Sequence, residues 1–166
     1  RSQKCSPKLP QYIFCFVHGL DPRTSHPPLG GRDSCHAGPM RRKIIVNADD
    51  FGLTTSASTG IIDAHRNGQV NSTTMMVNTP GTEEAVELAN ANPRLGVGLH
   101  FNLTEGRPLT SAQSLVGSDG YFRLREDLIR RVIRKAINPL DIRQEFEAQL
   151  ARFRSLGLEP SHIDSH

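Results

Sequence analysis

From Lys43 onward, short apolar runs rich in β-branched residues alternate with stretches that repeat apolar residues every three or four positions. No other feature constrains the fold as strongly. Strands joined by helical crossovers pair in parallel, so the pattern predicts an α/β sheet, either open or part of a barrel. The first run, Ile44-Ile45-Val46, leads through Asn47 and Ala48 into Asp49-Asp50-Phe51-Gly52. Thr54-Thr55-Ser56 offers N-cap chemistry for a helix that carries Ile61, Ile62 and Ala64 and stops at Gly68. Val70 to Val77 predicts a second strand. After a turn at Asn78–Gly81, Thr82 is expected to cap a helix whose first turn holds Glu83 and Glu84, where the helix dipole favours acids. Leu95 to Phe101 predicts the third strand.

A long loop through Gly106, Pro108, Gly117 and Gly120 follows. Leu124 to Ile137 predicts a helix with Leu128, Ile129, Val132 and Ile133 turned inward and its arginines outward. Its acids open the helix and its bases close it, which suits a solvated, dipole-matched helix better than an anion site. Pro139 to Leu156 predicts a further helix, with Ile142, Phe146, Leu150 and Phe153 on one side and Gly157 as its stop. Ser161 to His166 reads as a fourth strand.

The first 39 residues differ from the rest. They hold all three cysteines (Cys5, Cys15, Cys35) and five Lys/Arg against two acids, whereas fifteen basic residues balance fifteen acidic ones from Met40 on. The net charge of +3 therefore belongs to the leader, and the neutral body gives no reason to expect a polyanionic partner. With no Trp and 5% aromatic residues, an aromatic platform for nucleic acid is not expected either. Residues 1–39 lack periodicity and read as a disordered or extraneous leader, with the domain proper at 40–166 and Met40 a natural start. The apolar patch Tyr12 to Val17 is too short for a membrane span, and a cysteine-free body fits a reducing compartment, so a cytoplasmic setting is expected.

In parallel α/β folds, chemistry collects at the C-terminal ends of the strands. Here those ends carry Asp49-Asp50, His100 and the His162-x-Asp164-x-His166 segment. Neighbouring side chains on a strand point to opposite faces, so a solvated pair of aspartates is easy to accommodate. A buried pair repels unless a cation or a shared proton relieves it. A divalent ion resolves that conflict: one carboxylate becomes a ligand and the other stands beside the bound water as a general base. Which aspartate takes which part stays open at this level. Two histidines and a carboxylate converging from separate strands match a facial metal triad with open positions. His65, on a helix beside Arg66, reads as a surface or hydrogen-bonded core residue. Gly96-x-Gly98 runs straight into His100 and suggests close packing rather than phosphate binding. Nucleotide-binding and serine-hydrolase motifs do not occur. Asn71-Ser72-Thr73 and Asn102-Leu103-Thr104 match glycosylation sequons.

Three linked segments, IVNADDFG (45–52), GLHFNLTEGRPL (98–109) and PSHIDSH (160–166), closely resemble the YdjC-like carbohydrate deacetylase family, which includes deacetylases of chitooligosaccharides. The resemblance runs from Lys43 to His166 and includes the stretch Asn67 to Asn78. It implies the N-terminal part of a distorted TIM-type (β/α) barrel, one divalent metal ion, usually Mg2+ although Zn2+ is compatible, and removal of an N-acetyl group from an acetylated oligosaccharide. It implies Asp49 as proton acceptor and Asp50, His100 and His166 as metal ligands. Asp164 suits orientation of a histidine, and His162 is a candidate acid or a structural residue. Two other readings stand beside this one: a metal-dependent phosphoesterase, and a sugar-binding protein without catalysis. Neither nucleic acid nor membrane is expected as a partner, and self-association is left open.

Overall fold

The computed structural model describes residues 13–16 and 44–166. One five-stranded sheet runs in the order β1 (Ile13–Phe16), β2 (Ile45–Phe51), β3 (Ser72–Met75), β4 (Gly96–Phe101) and β5 (Ile163–Ser165). β1 pairs antiparallel with β2 through the backbone registers Ile13↔Ala48 and Phe16↔Ile45. The other four strands are parallel, in chain order, and curl into a half-barrel. Helices α1 (Thr55–Arg66) and α2 (Thr82–Ala91) make the first two crossovers, and α3 (Arg125–Ile133) and α4 (Pro139–Ser155) lie in the third. The alternation of strands and helices thus has the expected α/β outcome. Residues 1–12 and 17–43, with most of the expected leader and Met40, lie outside the described residues.

The two faces of the sheet have different jobs. On the helix side, Ala48, Phe51, Met75 and Leu99 pack with Ile61 and Ile62 of α1, Ala85 and Ala89 of α2, and Phe153 of α4. Phe51, Met75, Leu99 and Phe153 are each 0% exposed, and burial of one such side chain is worth about 1.5–3 kcal/mol. On the inner face, Asn47, Thr74 and His100 alternate with those core positions along their strands, while on the edge strand His162 and Asp164 flank the exposed Ile163. A cleft of about 950 Å³ opens along the β5 edge, lined by residues of both faces, Asn47, Ser72, Phe101, His162 and Asp164 among them. The polar inner face is what the strands carry to the site.

Two local expectations need correcting. Gly81, not Thr82, occupies the N-cap of α2 and makes no side-chain cap. Thr82 is the first helical residue, and its hydroxyl bonds the carbonyls of Met76 (3.1 Å) and Thr79 (2.8 Å) instead. Gly81 is placed there because a Cβ would lie 2.6 Å from the Gly52 carbonyl oxygen. The second correction concerns α3, which has no buried residue. Ile129, Val132 and Ile133 are 49%, 57% and 75% exposed, so they do not turn inward. Only Leu128 packs, against a small separate cluster of Ala112, Leu115 and Phe122 under the long loop. Periodicity identified an apolar stripe, but the described residues put nothing over most of it.

Thr54 does cap α1 as expected, accepting a hydrogen bond from the Ala57 amide at 3.2 Å. α4 keeps Phe153 in the core while Phe146 and Leu150 pack at its edge. The same helix buries Glu145 and Gln149 completely. Asn102, in the second sequon, is also 0% exposed and has its side chain bonded on every side, so glycosylation there is incompatible with the fold.

Candidate active site

A β-bulge at the end of β2 settles how two adjacent aspartates reach one place. The register with β3 slips between Ala48 and Phe51, and Asp50 takes a left-handed backbone conformation with φ 67°. A bulge inserts one extra residue and re-aims the side chains around it. Ala48 and Phe51 therefore both enter the core, while Asp49 and Asp50 both turn to the inner face. Left-handed backbone at a non-glycine residue costs about 1–3 kcal/mol, less for Asp than for most. The turn is completed by Gly52 (φ 88°), where a Cβ would sit 2.9 Å from the Met76 carbonyl oxygen. Simple strand alternation would have separated the pair.

Asp50 lies between two imidazoles. Its Oδ1 is 3.0 Å from Nδ1 of His166 and 3.3 Å from Nε2 of His100. The two rings stack edge to face with centroids 5.4 Å apart. The other nitrogen of His100, Nδ1, is 2.6 Å from Oδ1 of Asp164. Asp164 also accepts from the Thr74 hydroxyl at 3.0 Å. Asp49 accepts from Asn47 Nδ2 at 2.9 Å and from Thr74 at 3.4 Å. Asn47 and Thr74 thus tie the two flanking carboxylates together, and neither stood out in the sequence. Thr74 lay inside a run that reads simply as β-branched strand residues.

The electrostatics follow from these contacts. Hydrogen bonds from His100 and His166 hold the Asp50 carboxyl well below the usual carboxylate range, against the opposing effect of burial. Burial pushes Asp49 up; the charge on His100 opposes this, and the charge on Asp164 adds to it. Burial alone would lower His100, which is 2% exposed, but hydrogen bonds and charges from Asp164 and Asp50 raise it to about 9. The two adjacent carboxylates, Asp49 and Asp50, are therefore shifted in opposite directions within one small volume.

All four residues expected at the site, Asp49, Asp50, His100 and His166, meet on the inner face at the ends of β2, β4 and β5. One ligand atom from each of Asp50, His100 and His166 lies within 4.8 Å of the others, as does one from each of Asp49, His100 and Asp164. The donor set suits a divalent ion. Nδ1 of His100 is bonded to Asp164, so Nε2 is the nitrogen that faces Asp50 and His166. It donates to Asp50 while the ring is protonated, and loss of that proton would free its lone pair for an ion, the arrangement common behind metal-bound histidines. His162 is set apart from this group. It bonds Ser161 at 2.9 Å and Ser72 at 3.5 Å, deeper along the strands. A Cβ at Gly98 would lie 2.7 Å from its ring, so the glycine serves close packing, as the sequence suggested. His65 bonds the Val70 carbonyl at 2.8 Å and is half-buried on α1, away from the site.

An inner-face Asp/His cluster at the ends of parallel strands defines a class: an α/β protein with a candidate active site, compatible with a divalent ion, at the C-terminal ends of its strands. The chain belongs to the YdjC-like protein family, whose sequence profile matches residues 43–166. It is 52% identical over 124 residues to a carbohydrate deacetylase of Vibrio vulnificus (strain YJ016), covering 75% of this chain and 48% of that protein. A carbohydrate deacetylase of Geobacillus stearothermophilus is 49% identical over 127 residues, covering 76% of this chain and 50% of its own length. The chain thus spans about half the length of the curated relatives it matches. The crystal structure of a putative cellobiose-phosphate cleavage protein from Enterococcus faecalis V583 superposes with a TM-score of 0.64 at 36% identity, covering 72% of this chain and 46% of that one. No helix among the described residues is long and apolar enough to cross a membrane.

Proposed function

We propose that this chain carries the catalytic strands of a metal-dependent carbohydrate deacetylase, an amide hydrolase acting on acetylated chitooligosaccharides. The half-barrel is read as the N-terminal part of a distorted TIM-type barrel, and the cysteine-free body fits a cytoplasmic setting. The observation that carries the proposal is the meeting of His100 and His166 on Oδ1 of Asp50, with Asp49 alongside, in a chain similar to carbohydrate deacetylases.

In this reading Asp50, His100 and His166 would hold one divalent ion, Mg2+ by the family resemblance. When bound, that ion supplies Lewis-acid polarisation of the acetamide carbonyl and acidifies water. Asp49 removes the proton from the attacking water. Its raised proton affinity suits a base better than the depressed carboxyl of Asp50. Asn47 and Thr74 aim Asp49 by donating to its Oδ1. Asp164 fixes the ring of His100 through Nδ1, leaving Nε2 for the ion. Water adds to the carbonyl carbon as Asp49 takes its proton, the C–N bond breaks as the departing nitrogen gains a proton, and acetate and a sugar amine leave.

Similarity to the Enterococcus cellobiose-phosphate cleavage protein favours one second reading, hydrolysis at a sugar phosphate. The test is incubation with Mg2+ and either N,N′-diacetylchitobiose or a set of phosphate esters, assaying acetate and phosphate. Acetate release that a chelator abolishes is expected. Phosphate without acetate rejects the deacetylase. Calorimetric binding of the sugar with neither product identifies a sugar-binding protein.

A further inference from the structure

Glu145 and Gln149 lie one turn apart on α4, outside the site, and both are 0% exposed. Among the described residues Glu145 pairs with no cation. Its carboxylate instead accepts four hydrogen bonds: Oε1 from the Leu109 amide (2.9 Å) and Gln149 Nε2 (2.9 Å), and Oε2 from the amide (3.0 Å) and hydroxyl (2.7 Å) of Thr110. A buried carboxylate without a cation is costly, and full hydrogen bonding is what makes it tolerable. Such exceptions to ordinary core design concentrate where a fold serves function.

Gln149 shows what this one serves. Its Oε1 accepts from the Asn102 amide at 3.1 Å, and its Nε2 donates to the Asn102 carbonyl at 2.7 Å. Asn102 is the first residue after β4 and lies two positions from His100. The bond from Gln149 to Glu145 fixes which end of the Gln149 amide is the donor. From Asn102 the hydrogen bonds continue outward. Its Nδ2 donates to Asn78 Oδ1 (3.0 Å), and Asn78 in turn donates to the Arg107 carbonyl (2.9 Å). Thr79, next to Asn78, donates to the Gly52 carbonyl at 2.7 Å, two residues past Asp50. The loops after β2, β3 and β4 form one bonded rim, anchored in α4.

We propose that Glu145 and Gln149 are positioning residues: they set the turn after β4 and, through the rim, the alignment of His100 with Asp50. The proposal concerns the protein without metal. Only its affinity arm rests on the metal reading above.

The test compares Gln149→Met, which keeps the side chain's size but loses its bonds, with Phe153→Leu, a core change on the same helix that leaves the rim intact. Both are studied at temperatures giving equal fractions folded. In metal-free protein, Gln149→Met should shift the His100 ring resonances and speed amide exchange at Asn102, Thr104 and Glu105, and Phe153→Leu should do neither. Mn2+ affinity, read by calorimetry, should fall about tenfold in Gln149→Met, as for other groups that orient ligands. Unchanged ring resonances and exchange in Gln149→Met overturn the proposal and leave a purely structural role. Wild type that binds no Mn2+ overturns the metal reading, while the metal-free resonances still decide this one. Should Gln149→Met fail to fold, Thr110→Val, which removes a single bond to Glu145, is read in the same way with smaller shifts expected.

Discussion

His100 Nδ1 lies 2.6 Å from Asp164 Oδ1, and the two residues are direct partners across the parallel pair β4 and β5. Asp164 is thus held in place by sheet register, not by a flexible loop. Its second oxygen takes the Thr74 hydroxyl from β3, on the far side of β4. Replacing it with Asn keeps an acceptor but loses the charge; replacing it with Ala frees the ring. Divalent-ion affinity is expected to fall by about 10–100-fold in Asp164→Ala and less in Asp164→Asn, the usual worth of a carboxylate behind a histidine ligand. Calorimetric titration with Mn2+ measures it. Equal affinity in all three proteins would show that His100 needs no such support.

The two aspartates should fail differently. Asp50→Asn removes an anionic ligand, so metal affinity falls and excess metal recovers part of the deacetylation rate. Asp49→Asn keeps metal binding and loses turnover by about 10²–10⁴-fold, the range for a positioned base. It also has a consequence for stability. Because burial raises Asp49 in the folded state, its ionised form is disfavoured there, a cost fully present at neutral pH and relieved on acidification. Metal-free Asp49→Asn is therefore expected to melt higher than wild type at pH 7. Equal loss of metal in both mutants would mean that the carboxylates share the ion.

Much of this was legible in the sequence, for physical reasons that also explain the gaps. Asp50, His100 and His166 could be placed together because parallel strands deliver their C-terminal residues to one edge. Asp164 followed from its spacing between the two histidines that flank β5. The shared orientation of Asp49 and Asp50 was not legible, since it depends on a bulge that strand alternation cannot express. Thr74 was hidden because a β-branched run looks the same whether a hydroxyl meets solvent or a carboxylate. Glu145 and Gln149 were hidden because they share α4 with the apolar stripe of Phe146, Leu150 and Phe153, and charge normally marks the solvated side of a helix. α3 misled in the opposite sense: its period was helical, but a period cannot say whether anything covers it.

Two opposite pKa shifts define a pH window for the metal-free protein. Asp50 is held below its ordinary 3.8, so its contribution to stability is present above that value and lost as pH falls. His100 is raised from 6.5 to about 9, so its contribution is complete below 6.5 and lost as pH rises through 9. The pair should therefore stabilise the fold most between those two ordinary values. With a chelator present, melting temperature is expected to fall from pH 6.5 to 9 in wild type and to fall less in His100→Gln. Bound metal should reverse the trend, because it competes with protons for the same nitrogen. Parallel curves for the two metal-free proteins would contradict the assignment.

The last prediction tests whether close packing beneath the site sets its geometry. A Cβ at Gly98 would lie 2.7 Å from both the ring and the carbonyl oxygen of His162. Neither can yield cheaply: the ring is bonded to Ser161 and Ser72, and the carbonyl accepts from the Leu99 amide at 3.0 Å in the β4–β5 ladder. Gly98→Ala must therefore push β5 away from β4. β5 also carries Asp164 and leads directly into His166, so the displacement reaches both. Overpacking of this kind costs about 1–3 kcal/mol, and the expected result is a lower melting temperature together with weaker Mn2+ binding. A second substitution separates the two effects. Adding His162→Ala to Gly98→Ala removes the ring that the new methyl meets, and should restore part of the metal affinity even if stability stays low. Gly98→Ala with wild-type affinity would show that the site tolerates a shift of β5, and that the glycine matters for folding alone.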